Sequence, residues 1–248
     1  MSSRASLLSA LLVVMPVSAF AQAAAPPPPP PKHEVSGELA YVGVSGNAST
    51  NTFGIRFETV HRPESWLIRQ RLSFVRNESE GELTAEAFSY TPRVEKVLNA
   101  RMSVFGEYQY FRDEFAGVDN RNAVNAGLAI KLVTQDRQTL SADVGLGYLN
   151  EQRLAGDDVS SGVYSAGTAY TLKISDTADL TDDFAFVGTF DRAEDWRIAH
   201  TIAVTAKLTE IFSLKASNNI RYANFPPPGF KTTDSVTSVA LVLTLKRQ

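Results

Sequence analysis

Residues 101–132 read RMSVFGEYQYFRDEFAGVDNRNAVNAGLAIKL and contain two alternating segments joined by a polar loop with a glycine. In the second segment Val124, Leu128 and Ile130 fall on one face, while Asn125 and Lys131 fall on the other. This period of two residues predicts a long β-hairpin. Each segment has roughly ten to thirteen residues, about twice the usual 5–6 of a soluble strand and close to the 9–11 that cross a bilayer at a tilt. The length therefore points to an outer-membrane barrel.

The N-terminal 21 residues have the pattern of a secretory signal peptide. Arg4 precedes an apolar core at residues 7–17, and Ala19-Phe20-Ala21 matches the small-x-small cleavage pattern. We expect cleavage after Ala21 and export from a bacterial cytoplasm. Residues 22–33 include six consecutive prolines at positions 26–31, which predict an extended polyproline II spacer or disordered leader in the periplasm. Residues 34–248 are then the barrel domain.

Composition limits the function classes further. The chain has 44% hydrophobic residues, 21% charged residues and a formal net charge of −3, a balance that argues against a nucleic-acid binder. It has no cysteine, so an exported protein must be stable without disulfides, and a closed hydrogen-bonded barrel needs none. After the signal peptide no apolar run approaches the 18 residues of a membrane helix. A membrane-spanning form must therefore be an all-β, up-and-down, antiparallel barrel.

Alternating segments and turn residues predict about twelve strands. Their expected bounds are 34–44, 51–61, 66–76, 82–91, 100–113, 121–133, 138–151, 161–173, 178–190, 197–208, 212–222 and 232–246. Tight connections, including one around residues 92–99, alternate with longer ones such as residues 77–81 and 223–231. Short turns face the periplasm in outer-membrane barrels, so an even count of strands places both termini there.

The two faces of the strands differ sharply in polarity. We expect Leu128, Ile130, Leu146 and Val204 to face lipid. The opposite face carries charges of both signs and is the predicted lining of the lumen: Glu38, Arg56, Glu58, Arg69, Arg71, Glu107, Lys131, Asp143, Lys173, Arg197, Lys207, Lys215 and Arg221.

A soluble periplasmic barrel with an apolar ligand inside would show the same alternation, so alternation alone leaves this alternative open. Strand length, export without cysteines and aromatic residues near strand ends favour the membrane barrel. Among mid-strand residues on the apolar face, the polar exceptions are Gln70 and His200. Asp182 also falls with apolar neighbours, and Glu86 shares a face with Phe88, so the register of these two strands is open.

Several patches, taken together, resemble a family of salt-induced outer membrane proteins of unknown function, also called YdiY-like. The resemblance covers about residues 34–245 and rests on these residues: Gly46-Asn47-Ala48-Ser49-Thr50, Phe105-Gly106-Glu107, Tyr110, Asp113, Phe115, Gly117, Asp119, Arg121, Gly145-Leu146-Gly147-Tyr148 and Pro226-Pro227-Pro228-Gly229-Phe230-Lys231-Thr232-Thr233-Asp234. It implies an outer-membrane barrel, a link to salt response and no assigned catalytic residue. Many outer-membrane barrels end in an aromatic residue that the insertion machinery reads, whereas this chain ends Leu245-Lys246-Arg247-Gln248.

Signals for chemistry are weak. The three histidines, His33, His61 and His200, are far apart in sequence, and a lipase site could be assembled only from His200, Thr201 and Asn218. The acidic pairs at residues 157–158 and 182–183 lack the spacing of a calcium loop. We therefore predict no enzyme activity, no cofactor and no metal.

The mixed charges of the predicted lumen are the main functional feature. A barrel of twelve strands lies between a filled eight-stranded one and an open sixteen-stranded one. Either a narrow passive path for ions and small solutes remains, or the charges pair across strands and plug it. The residues that would form the plug are Arg56, Arg69, Arg71, Glu58, Glu86 and Glu107. The expected partners are outer-membrane lipid, the barrel-insertion machinery and small solutes or ions that pass through the lumen.

Overall fold

A computed structural model describes residues 31–44 and 50–247. The predicted signal peptide, the leader as far as residue 30 and the loop at residues 45–49 lie outside the described residues, and so does Gln248.

Twelve antiparallel strands form one closed barrel, in which each strand pairs with its neighbours in sequence and β1 pairs with β12. This confirms the predicted fold class. The strands are β1 His33–Val44, β2 Thr50–His61, β3 Trp66–Ser79, β4 Glu82–Val97, β5 Met102–Asp113, β6 Val118–Thr134, β7 Gln138–Arg153, β8 Val159–Lys173, β9 Ala178–Thr189, β10 Trp196–Lys207, β11 Phe212–Ala223 and β12 Thr233–Arg247. A 3₁₀ turn, Glu114–Ala116, lies between β5 and β6.

The predicted end of β4 is wrong by six residues, because Pro92 does not stop the strand. On the β3 side the pairing continues through Gln70↔Pro92, while on the β5 side it stops at Tyr90 and resumes at Arg93. Proline has no N–H to donate, so the ladder is interrupted on one side only. The turn lies instead at residues 98–101, where the side chain of Asn99 accepts the backbone N–H groups of two following residues.

The connection predicted as a loop at residues 77–81 is a two-residue turn. β3 continues to Ser79, and Glu80 and Gly81 both have positive φ, 53° and 82°. Two consecutive residues of this conformation form a type I′ turn, whose twist matches the twist of a hairpin.

Ion pairs between strands that are not neighbours identify the inner face of the wall. Arg221 on β11 reaches Asp113 on β5 with 3.4 Å between nitrogen and oxygen, which is possible only through the interior. Directly opposite residues in an antiparallel sheet share a face, so the register extends this assignment around the barrel. We call the end where β1 begins and β12 ends the terminal end, and the opposite end the loop end.

The outer face is apolar and exposed, as a lipid-facing wall requires. Leu146 is 63% exposed and Leu128 is 41% exposed. At the loop end Trp196 packs against Phe186 and Tyr222, with ring centroids 6.1 and 5.2 Å away, in the manner of an interfacial aromatic girdle. A soluble barrel would bury its apolar face, so this arrangement argues against the soluble alternative.

The seam that closes the barrel joins the first and last strands. It extends from His33↔Arg247 to Ala40↔Ala240, a shorter ladder than the one between β6 and β7, which extends from Val118↔Arg153 to Thr134↔Thr139. The wall between β6 and β7 is crowded as well as long: a Cβ on Gly127 would lie 2.0 Å from the carbonyl oxygen of Val144.

Candidate functional site in the barrel interior

All thirteen residues of the predicted lining occupy inward-facing register positions, spread along the length of the barrel rather than gathered in one site. They divide into a group at the loop end, a group in the middle and a group in the terminal half. The three groups differ in how closely their charges pair and in how much water reaches them.

The loop end holds a buried ion cluster centred on Glu151. This carboxylate is 0% exposed and contacts three guanidinium groups, from Arg121, from Arg153 at 2.6 Å and from Arg197 at 3.1 Å. Asp195 adds a second carboxylate, 3.3 Å from Arg153 and 3.2 Å from Arg197. Since Arg197 lies on β10 and Glu151 on β7, the cluster bridges the interior rather than lining one wall.

Apolar side chains fill the space beside this cluster. Leu149 is 2% exposed and Val163 is 0% exposed, and they pack with Ala123 on the inner face of β6, β7 and β8. Packed apolar side chains beside a fully buried carboxylate leave little room for water around Glu151. The interior is therefore tightly packed on this side, while a cavity of about 330 Å³ borders Arg153 and Asp195.

A second network lies further down, on β4, β5 and β7. Arg93 pairs with Glu95 at 2.8 Å, with Glu107 at 3.5 Å and with Asp143 at 3.5 Å, and its guanidinium carbon lies 3.8 Å from the ring centroid of Phe105. The side chain of Arg93 is 9% exposed. One arginine thus holds three carboxylates from three strands.

In the terminal half the pairing is uneven, because Lys215 contacts Glu38 at 2.7 Å with side chains 16% and 17% exposed, whereas the contacts of Glu58 are looser. Arg69 and Arg71 both approach Glu58, but only to 4.0 and 3.9 Å, and their side chains are 31% and 44% exposed. These loose contacts between partly hydrated groups are worth little in stability. The tightness of pairing therefore varies across the interior: Glu151 at the loop end is fully buried, whereas Arg71 near the terminal end is loosely paired and 44% exposed.

The connection between β11 and β12, residues 224–232, crosses the mouth at the loop end, and we call it the strap. The ring of Phe230 occupies the space beside Gly117, where a Cβ would lie 2.7 Å from the ring, and Pro228 lies against Gly156 in the same way, at 2.9 Å. Phe225 lies under two guanidinium groups, with Arg192 4.4 Å and Arg153 5.8 Å from its ring centroid. A cavity of about 330 Å³ remains between the strap and the neighbouring loops.

Sequence reasoning missed several residues that dominate these networks. Arg93 and Glu95 lay beyond the predicted end of β4, and Arg153 and Asp195 lay in predicted loops. Glu151 was the last residue of a predicted strand and was not assigned to the lumen. The alternation of β7, which continues two residues past Glu151, was the available signal.

Glu86 was expected to help plug the interior, and this is wrong. Its register partner is Arg76, the pair lies 3.3 Å apart on the outer face, and both side chains are more than 40% exposed. The pair is close to the loop end of β3 and β4, where an outward-facing charge can reach water.

The residues considered for a lipase do not assemble into a triad. His200 faces outward and contacts Asp182 at 3.0 Å, so the outward Asp182 is paired rather than out of register. Thr201 faces inward, where its hydroxyl accepts a hydrogen bond from the amide of Asn219. The hydroxyl and the imidazole thus lie on opposite sides of the wall, without the contact that nucleophilic catalysis needs.

Within residues 31–44 and 50–247, no group of three or more His, Cys, Asp or Glu side chains is arranged so that it could hold a metal ion. His33 and His61, distant in sequence, are directly opposite each other at the terminal rim, with 2.9 Å between their Nδ1 atoms. Asp182 and Asp183 point to opposite faces of the wall.

No helix in the described part of the chain is long and apolar enough to cross a membrane.

The profile of a family described as "Protein of unknown function, DUF481" matches residues 37–245. The chain belongs to the DUF481 family. This membership confirms the resemblance to a family of unknown function that the sequence patches indicated, and the family description assigns no activity. A comparison with curated proteins found no match.

Solved structures similar to this DUF481 protein are outer-membrane barrels. The NanC porin is 10% identical, with a TM-score of 0.50 over 87% of this chain and 99% of the porin. An outer membrane channel from Pseudomonas putida F1 is 11% identical, with a TM-score of 0.51 over 88% of this chain and 96% of the channel. At this level of identity the likeness establishes the outer-membrane barrel fold.

Proposed function

We propose that this DUF481 protein is a non-enzymatic barrel of the Gram-negative outer membrane that offers a narrow passive path to ions and small solutes, and that this path is closed at the loop end in the conformation described. The observation that carries the proposal is the change along the interior, from the fully buried Glu151 to the 44% exposed Arg71. A partly exposed, loosely paired arginine suits a solute path, and a fully buried ion cluster suits a barrier.

The terminal half of the interior supports a path because the charges around Glu58 are incompletely paired. A barrel plugged throughout would have to pair and desolvate every inward charge, since an unpaired buried charge is costly. The 3.9 Å contact of Arg71 to Glu58 leaves the Arg71 side chain 44% exposed, so it can meet water and small anions, whereas Nε of Arg69 is buried with no hydrogen-bond partner among the described residues.

The outer surface supports placement in the outer membrane. Its apolar residues face outward, and the polar ones among them are paired, as Gln70 is with Tyr90 and His200 is with Asp182. Outer-membrane lipid is then the immediate partner, and the barrel-insertion machinery is the other. With even strand number and short turns at the terminal end, both termini face the periplasm.

A permanently plugged structural barrel is the second candidate, and the Glu151 cluster favours it.

The family resemblance adds a role in salt or osmotic response to either candidate, and expression at raised salt would test that role.

The test is ion selectivity in planar bilayers with a salt gradient. Arg69 and Arg71 project inward two residues apart and produce a local positive field that Glu58 partly cancels. The double variant Arg69→Gln with Arg71→Gln should therefore raise the ratio of cation to anion permeability. Arg76→Gln is the matched control, because Arg76 is on the same strand but faces outward.

The three outcomes separate the candidates. A raised ratio in the double variant, with no change in Arg76→Gln, supports the path. No conductance in the wild type and in both variants overturns the path in favour of the plugged barrel. A conducting double variant with an unchanged ratio shows that these arginines do not line the path.

A further inference from the structure

The strap reaches much further than the connection of two adjacent strands requires. It leaves β11 and returns to β12, which are neighbours in the wall, yet Phe230 near its tip lies against Gly117, between β5 and β6. β5 and β6 are on the opposite side of the barrel in the strand order. The strap thus spans the mouth at the loop end.

Two glycines accept the tip of the strap. Gly117 has φ +77° and Gly156 has φ +78°, so each adopts a conformation that other residues rarely take, and each lacks the Cβ that would collide with the strap. Any side chain at position 117 would displace the ring of Phe230, since the Cβ would lie 2.7 to 2.9 Å from three ring atoms. The receiving loops themselves are held together by a hydrogen bond from the N–H of Leu154 to the carbonyl of Gly117, at 3.0 Å.

The strap is attached at its ends and is otherwise held by side chains. Asn224 donates its N–H to the carbonyl of Trp196 at 3.0 Å, and Ala223 donates to Thr232 at 2.8 Å. Among the described residues, the other main-chain hydrogen bond of the strap is internal, from Phe230 to Pro227 at 3.1 Å. Prolines 226–228 have no N–H to donate, so this part can leave the mouth without breaking a main-chain hydrogen bond to it.

We infer that the strap is a lid over the loop-end mouth, and that its release from Gly117 and Gly156 admits water and small solutes to the interior beneath it. The three successive prolines make the lid stiff, and Gly229, with φ +88°, supplies the bend before Phe230. Only the predicted effect of the lid on permeation rests on the proposed function. The packing of the strap against Gly117 and Gly156 does not depend on it.

The position beneath the lid that reports its opening is Ser161. Its side chain faces inward, it is 2% exposed, and it lines the same cavity as Phe225 and Pro228 of the strap. Since the chain has no cysteine, Ser161→Cys provides a single thiol whose reaction with a water-soluble maleimide measures access to this space.

The experiment compares two glycine substitutions in the Ser161→Cys protein, refolded in vesicles. Gly117→Ala places a methyl group in the space of the Phe230 ring, while Gly81→Ala imposes a similar backbone strain, at φ +82°, with nothing within 4 Å of the new Cβ. Gly117→Ala should raise the labelling rate on the order of tenfold, the factor expected when a partly buried phenylalanine ring loses its contacts. Gly81→Ala should leave the rate unchanged.

Phe230→Ala provides a second route to the same state without altering either glycine, and it should raise labelling to a similar extent. Equal labelling in the parent, Gly117→Ala and Phe230→Ala proteins would overturn the lid. Faster labelling together with no conductance in bilayers would support the lid and overturn the passive path. Unchanged labelling in a protein whose selectivity depends on Arg69 and Arg71 would overturn the lid and leave the path in place.

Discussion

Replacing Glu151 with glutamine should destabilise the barrel by about 3 kcal/mol, although the change keeps the size of the side chain. The wild-type cluster sets the three positive charges of Arg121, Arg153 and Arg197 against two carboxylates, and the variant leaves Asp195 as the single one. Removing one partner of a buried ion pair costs about 3–5 kcal/mol, because the remaining charges stay desolvated. We expect a cost at the lower end of this range, since the side chains of Arg121 and Arg197 are 17% and 12% exposed and can gain some hydration.

Glu86→Gln is the matched control, because it makes the same chemical change in an ion pair on the outer face of the same barrel. Glu86 is 41% exposed and lies 3.3 Å from Arg76, and exposed pairs of this kind contribute about 0–1 kcal/mol. Urea unfolding from phospholipid vesicles, followed by the fluorescence of Trp66 and Trp196, would measure both variants. If Glu151→Gln unfolded within about 1 kcal/mol of the wild type, as Glu86→Gln should, the buried charges of the cluster would not be tightly coupled.

Two further predictions concern the wall itself. In vesicles, Lys131→Cys should react with an aqueous thiol reagent much faster than Leu146→Cys, because position 146 faces lipid; equal rates would refute the assignment of faces. Gly127→Ala should destabilise the barrel by at least about 2 kcal/mol, since its Cβ would lie 2.0 Å from a backbone oxygen, whereas Gly106→Ala, with nothing within 4 Å, should stay within about 0.5 kcal/mol of the wild type in the same urea assay.

The strands were predictable because a membrane wall enforces strict alternation. On β6, Val124, Leu128 and Ile130 must face lipid and Asn125 must not, so a shift of one residue would reverse every side chain. The count of twelve strands and most of their bounds follow from this pattern together with the turn residues.

The errors occurred where one local rule outweighed another. Pro92 predicts an end of β4, but the strand continues past it. A proline is tolerated there because the ladder is interrupted on one side of the strand only. Residues 77–81 were rich in loop-forming types, but Glu80 and Gly81 alone complete the turn. Asp182 raised doubt about register because its partner, His200, is on the next strand and cannot be identified from alternation.

The sequence predicts which face of the wall carries the inward charges, but it does not predict which of these charges pair with each other. Alternation along each strand indicates which charges point inward, whereas the closure of the barrel decides which of them meet. Arg221 and Asp113 are 108 positions apart in sequence and on opposite sides of the interior, and nothing in either strand marks them as a pair. Phe230 and Gly117 are likewise far apart in sequence. Their contact, which covers the mouth, was therefore not predictable from the sequence.

The short seam between β1 and β12 has a consequence for the order of folding. Those strands are the most distant pair in sequence, so their ladder forms across the longest chain loop and is slow to form. Until Thr244 and its neighbours reach Ser36, the sheet has two open edges, and open edges are not tolerated in the hydrocarbon region. The eleven earlier strands therefore cannot complete a stable insertion by themselves, and removing β12 should leave a chain that aggregates rather than a smaller barrel.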